Sequence, residues 1–301
     1  MAEYISNFCL GGPYGVAIFF LISGFTIPFS LRRVSRSGFI INRLLRIIPT
    51  YIAGFSITLI ALLVGSKYFL QEWPYTTKEI LIHYIPGLRD ITGSRNIDFV
   101  VWTLEAEIKF YLLCAIFITW FKHYSIRLIF IPIALFILMM ILHLTNNLTQ
   151  GIFNFQYIIF MFIGVVFHYL YSKEITVNQA WIFIGIIFAL FCISWYIGPQ
   201  SAIFGVISNY AYALLTFTFA YTYPSIFKSN IVFDFFANIS YPLYVIHGVA
   251  GYIALRILLD SGVKNWAALL IVTSTCFLFA WILHKLIEQP SQAISKRLLK
   301  K

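Results

Sequence analysis

The sequence predicts an all-α, polytopic transmembrane helix bundle, and three observations carry that expectation. The 301 residues are 60% hydrophobic and only 11% charged, with a mean hydropathy of +0.86; a soluble domain carries about a quarter charged residues. Nine apolar runs are long enough for a hydrocarbon core of roughly 30 Å, which takes about 20 helical residues. The basic residues sit in the gaps between those runs rather than on a polar face. This excludes an ordinary soluble enzyme. It also removes nucleic acid as an expected partner, despite a net charge of +10 and a pI near 9.4.

In chain order the runs are 13–31, 47–65, 99–121, 127–144, 151–171, 179–198, 202–222, 238–258 and 266–284. None shows the short alternating pattern of a membrane β-strand. Ile80–Leu88 is apolar but too short to span, so it reads as an interfacial or re-entrant piece. No linker, repeat or low-complexity tract divides the chain, and residues 1–301 are expected to form one integral-membrane domain.

Loop charges set the orientation. Fourteen Lys and Arg fall on the side of the C-terminal tail, which holds Lys285, Lys296, Arg297, Lys300 and Lys301, and five fall on the other side. Positively charged loops stay cytoplasmic, so the C-terminus is expected inside, in the plasma (inner) membrane of a bacterial-type envelope. Nine spans then leave Met1 outside on a short polar stub with no signal-peptide pattern, as if one upstream helix were missing. Cys9, Cys114, Cys192 and Cys276 have no metal or redox spacing and read as apolar thiols; no metal is expected.

Chemistry is sought among ionisable residues inside spans, where each costs a few kcal/mol. Glu105 and Lys109 are four apart and share a helix face. Glu107 points about 200° away from Glu105 and lies roughly 12 Å down its helix. It reads either as a carboxylate lining a polar cavity or as a lock on helix packing. Arg43 and Arg46, three apart at the mouth of the second span, suit a bidentate grip on a phosphorylated ligand, or anchoring to anionic lipid. His247 is the histidine nearest mid-membrane. A neutral imidazole there serves as a general base, a hydrogen-bond link or a packing residue. The aromatic wealth, 31 Phe and 19 Tyr, reads as lipid-facing bulk and interfacial belt.

Five elements in order resemble the acyltransferase-3 family of membrane acyltransferases. Gly15-Val-Ala-Ile-Phe-Phe-Leu-Ile-Ser-Gly-Phe25 is similar to its G-V-x-x-F-F-x-x-S-G-F element. Arg43, Arg46 and Pro49 match R-x-x-R-x-x-P, with Asn42 where another Arg is frequent. Trp102, Leu104, Glu107, Phe110 and Tyr111 match W-x-L-x-x-E-x-x-F-Y. Ser240–His247 is similar to S-Y-x-x-Y-x-x-H, and Glu288-Gln-Pro290 to the closing E-x-P. The resemblance implies ten helices with both ends cytoplasmic. It implies transfer of an acyl group, acetyl above all, from cytoplasmic acyl-CoA to a hydroxyl of a cell-envelope polysaccharide or lipid-linked sugar.

By that resemblance Arg43 and Arg46 hold the CoA end; Glu107, which would organise the polar cavity, and His247, on a matched element other than the one that bears the family's base, are the catalytic candidates. The family's base is a histidine on a helix preceding the Gly15 element. That helix has no counterpart in this sequence, so little turnover is expected of the 301-residue form. The rivals are a multi-span transporter and an inactive acyltransferase relative.

Overall fold

The computed structural model describes residues 12–32, 34–147, 149, 154–197 and 203–298, all helix, turn or loop without a strand. The expectations for the N-terminal stub and Cys9 lie outside them. The helices are α1 (Gly12–Leu31), α2 (Arg36–Tyr68), α3 (Thr77–His83), α4 (Leu88–Thr92), α5 (Val101–Ile116), α6 (Ile118–Lys122), α7 (Phe130–Leu144), α8 (Phe155–Tyr171), α9 (Val177–Ile197), α10 (Ile203–Thr222), α11 (Ile231–His247), α12 (Val249–Asp260), α13 (Asn265–Leu283) and α14 (Gln289–Leu298). A 3₁₀ turn leads into α7, and a π-helical turn, His284–Glu288, joins α13 to α14.

Every expected run coincides with a helix or a helix pair. Five helical segments among the described residues are long and apolar enough to cross a membrane, and a sixth is added if the pair α11–α12, bent by 66°, crosses as one. Of the other runs, α8 has 17 residues and α5 has 16 before its break at Phe117. The 20-residue α10 is diluted by Ser208, Asn209, Thr216, Thr218 and Thr222. A polytopic all-α bundle is the result.

Contacts group the helices into two units: Met1–Phe39 with Ala106–Lys228, and Ile40–Glu105 with Ser229–Lys301. In the first, α8 is the central rod. It packs against α1, α7 and α9, and every side chain from Gln156 to Tyr169 is buried. Glycine permits the tightest contact: a Cβ on Gly24 would lie 1.9 Å from the Met161 carbonyl oxygen, and one on Gly164 would lie 2.3 Å from that of Leu21. Small residues let backbones approach where no hydrophobic force drives helices together. The two helices are parallel, since Phe20 meets Tyr157 at 5.7 Å between ring centroids and Phe29 meets Tyr171 at 5.7 Å. Phe160, Phe191 and Tyr210 stack within 4.7 to 5.0 Å of one another. Many aromatic residues expected at the lipid surface are therefore core instead, because edge and offset ring packing fills the gaps between helices.

In the second unit α2 runs parallel to α11 and α12. The Tyr241 hydroxyl donates to the Ile47 carbonyl at 2.8 Å. Gly54 faces Val245, whose Cγ1 would lie 2.4 Å from an added Cβ, and the Tyr68 and Ser261 hydroxyls meet at 3.3 Å. By contrast α5 runs antiparallel to α11, with Thr103 beside Tyr244 and Val100 beside Gly248. Those directions agree with the alternation of spans read from the loops. The Asn230 side chain accepts from the Val232 and Phe233 amides and starts α11. In the 66–98 segment Thr76 and Glu79 form a capping box that starts α3. The Arg95 guanidinium and Thr76 hold the Glu79 carboxyl down to about 2.

Gly24→Ala places a methyl group against backbone that cannot turn away, and overpacking of this kind costs typically 1–3 kcal/mol. The variant is expected to unfold in detergent at a clearly lower temperature than the parent. Gly185→Ala, whose Cβ would meet open space, is expected to match or exceed it.

Candidate functional site

The segment between the second and third runs carries more chemistry than its sequence suggests. Asp98 stands just before α5 and is 2% exposed. Its Oδ1 accepts the Val100 and Val101 amides, each at 3.1 Å, which starts the helix. The same carboxylate accepts the Tyr51 hydroxyl at 3.0 Å and His83 Nε2 at 3.3 Å. A carboxylate with four donors is an acceptor throughout, so Nε2 of His83 carries a proton. Nδ1 of that fully buried ring has no hydrogen-bond partner among the described residues. Next to this group the buried Arg89 grips Glu105 bidentately, Nε donating to Oε1 at 2.8 Å and Nη2 to Oε2. The expected interfacial piece is thus clamped to α2 and α5 by buried polar groups. Neither His83, Asp98, Arg89 nor Tyr51 was among the sequence candidates. The balance of four acids against four cations in 66–98 is the one sequence signal that pointed there.

His247 is the last residue of α11, and the chain breaks at Gly248. An added Cβ on Gly248 would lie 3.7 Å from the Asp98 carbonyl oxygen, so the break rests against the Asp98 turn. Nδ1 of His247 lies 3.0 Å from the Leu243 carbonyl and 2.9 Å from that of Tyr244. Both are acceptors, so Nδ1 carries the proton. Nε2 is left with a lone pair on an exposed ring, without a hydrogen bond among the described residues.

Arg43 and Arg46 sit near the start of α2, three residues apart, Arg43 buried and Arg46 exposed. One other matched element of the same unit reaches this stretch, Tyr241 through the Ile47 carbonyl, and so does Ser295 of α14, beyond the Glu288–Pro290 element, whose hydroxyl donates to Asn42 Oδ1 at 2.9 Å. The π-helical turn orders the start of α14, with His284 Nδ1 2.7 Å from Glu288 Oε2 and Gln292 donating to Oε1 at 3.1 Å.

Glu107 belongs to the other unit. It is 4% exposed, and its Oε1 accepts the Ser23 hydroxyl at 3.2 Å and the Tyr111 hydroxyl one turn on. Those contacts tie α5 to α1 at the Ser23-Gly24 pair that packs on α8. Lys109 Nζ lies 5.9 Å from the Phe155 ring centroid. Cys114 is buried and Cys192 and Cys276 half-buried, none in a disulfide. Among the described residues no group of three or more His, Cys, Asp or Glu is placed to hold a metal ion.

A polytopic bundle with a broken helix, a buried carboxylate network and paired arginines defines a membrane protein built around polar chemistry. The family follows from comparison: residues 2–285 match the acyltransferase-3 family, described as an acyltransferase domain, and the chain belongs to it. It is also 36% identical over 113 residues to Nodulation protein 10 of Rhizobium leguminosarum bv. viciae. That similarity covers 33% of this chain and 31% of the relative's length. No solved structure matches.

Removing Arg89 leaves the Glu105 carboxylate without its bidentate partner inside the protein, which costs about 3–5 kcal/mol. Arg89→Ala is expected to lower the yield of monodisperse protein and its unfolding temperature strongly. Arg89→Lys recovers only part of the loss, because an ammonium cannot form the fork. Unfolding of both variants at the parental temperature would show the pair to be dispensable.

Proposed function

We propose that the chain moves an acyl group, most simply acetyl, from a cytoplasmic acyl-CoA to a hydroxyl of a cell-envelope polysaccharide or lipid-linked sugar. The observation that carries this reading is the meeting of two family elements in one unit, where Tyr241 bonds the stretch that bears Arg43 and Arg46, a stretch that Ser295 of α14 also bonds. Two guanidiniums there suit the phosphates of a nucleotide thioester, since forked charge-assisted hydrogen bonds match phosphate oxygens. Further along α11, about 9 Å beyond Tyr241 at 1.5 Å per residue, the free Nε2 of His247 suits the acceptor hydroxyl.

In the transfer, the hydroxyl oxygen bonds to the thioester carbonyl carbon and the carbon–sulfur bond breaks. The hydroxyl proton passes to the imidazole and then to the leaving thiolate. Glu107 takes no part in that exchange. It acts as a positioning residue that holds α5 to α1 through Ser23. A cytoplasmic C-terminus is supported by the loop charges, and the inner membrane is the location that a cytoplasmic donor requires.

A helix broken within the membrane also occurs in transporters, and the bend at Gly248 favours that second reading. Labelled acetyl-CoA supplied to the cytoplasmic face of vesicles, with the chain expressed from its complete reading frame, separates the two. Label is expected in envelope glycan; a sugar flux without labelled product overturns the enzyme. Purified protein in nanodiscs tests the donor site directly. Two lost charged contacts of roughly 1.5–3 kcal/mol each predict that Arg43→Ala with Arg46→Ala weakens acetyl-CoA binding at least tenfold. Binding that survives both changes removes the arginines from the donor site.

A further inference from the structure

Beside the break in α11–α12 lies a cavity of about 620 Å³, open along one side and lined almost wholly by carbon. One wall is a stripe of α11 from Phe236 through Leu243 to His247. Gly251 of α12 and Val272 and Cys276 of α13 close it. Along α11 the stripe covers about 16 Å, eleven rises of roughly 1.5 Å from Phe236 to His247. Its volume falls within the range of small-molecule sites, roughly 300–1,000 Å³.

Polar atoms on this lining are few, and most are committed. The Ser240 hydroxyl donates to the Ala237 carbonyl at 2.8 Å, and the Tyr244 hydroxyl lies 2.7 Å from that of Thr103. His247 differs. Its Nδ1 proton is spent on backbone carbonyls and its Nε2 lone pair is not. The cavity therefore offers a long apolar trough ending at a hydrogen-bond acceptor.

That pattern selects among apolar molecules. A thioester donor presents only acceptor atoms at its reacting end, and the ester groups of a diacyl phospholipid do the same; neither satisfies a lone pair. An alcohol does. We infer that this cavity binds the hydrocarbon tail of a lipid-linked acceptor, with a hydroxyl of the attached sugar donating to His247 Nε2. The inference rests on the acyl-transfer reading above and narrows its acceptor from any envelope glycan to one carrying a tail. It also gives Gly251 a purpose. A Cβ there would sit 3.7 Å from Cys276 Sγ and 3.8 Å from Val272 Cγ1, ordinary contact distances. Alanine therefore fits, while a large side chain enters the trough.

Protein in nanodiscs is photolabelled with a diazirine-bearing dodecyl glucoside, and the label is competed with butyl, octyl and dodecyl glucosides. Labelling is expected on residues 236–247 and 272–277, with competition strengthening as the chain lengthens. Gly251→Ala leaves labelling unchanged, whereas Gly251→Phe and, independently, Val272→Trp reduce it at least tenfold. His247→Ala weakens competition by dodecyl glucoside but not by its fully O-methylated form, which has no hydroxyl to donate. Competition independent of chain length overturns the inference, as does equal labelling by a diazirine phosphatidylcholine, which would mark ordinary bilayer lipid. Acetyl-CoA binding is measured on the same variants. If it persists while the glucoside fails to label the cavity, only the tail site is lost. If the Arg43 and Arg46 changes leave it intact while the cavity labels as expected, the donor assignment fails and the tail site stands.

Discussion

The second unit depends on one carboxylate. Asp98 gathers the Tyr51 hydroxyl from α2, the His83 imidazole from α3 and the first amides of α5 on two oxygen atoms. In a medium without water each of those donors would otherwise be unsatisfied, at several kcal/mol apiece. No apolar residue can replace it, and a neutral amide would confront its donors with one of its own. The carboxylate also fixes what lies against it. The Asp98 turn abuts Gly248, so the place where α11 stops and α12 begins lies beside the residue that starts α5.

The relative direction of the spans was legible in the sequence, and contacts remote from the loops agree with it. Alternating loop charges put the 47–65 and 238–258 runs in one direction and 99–121 in the other. Ile47 with Tyr241, Gly54 with Val245 and Tyr68 with Ser261 give the first relation, and Thr103 with Tyr244 gives the second. Apolar length and charge are local properties, so periodicity and counting recover them. Partners are not local. Arg89 and Glu105 are 16 residues apart, and Asp98 and Tyr51 are 47 apart; nothing in either segment names the other.

The motif residues divide between the two kinds of legibility. Ser23, Gly24, Glu107 and Tyr111 come from two elements that the resemblance placed in order but not in contact. Their union, a hydroxyl pair on one carboxylate above a glycine-to-backbone contact, explains why such residues occur in an apolar helix. From sequence, Glu107 read first as a cavity wall and second as a packing lock. Its burial and the two hydroxyls that donate to Oε1 are what a lock on helix packing requires. The aromatic residues misled for a related reason. Phe and Tyr suit lipid and tight cores alike, and composition alone does not divide them.

His247 owes its chemistry to a backbone event. At the end of an α-helix the last turn of carbonyls is open to side-chain donors, and the Tyr244 carbonyl lies in the last turn of α11. The imidazole folds back and donates Nδ1–H to that carbonyl and to Leu243. An isolated histidine holds either tautomer; this one is held to a single tautomer by the carbonyls its own helix exposes. The remaining nitrogen is then an acceptor pointing away from the helix. The bend is thus more than a change of course for the chain. It converts a membrane-embedded histidine into a fixed hydrogen-bond acceptor at the end of an apolar trough.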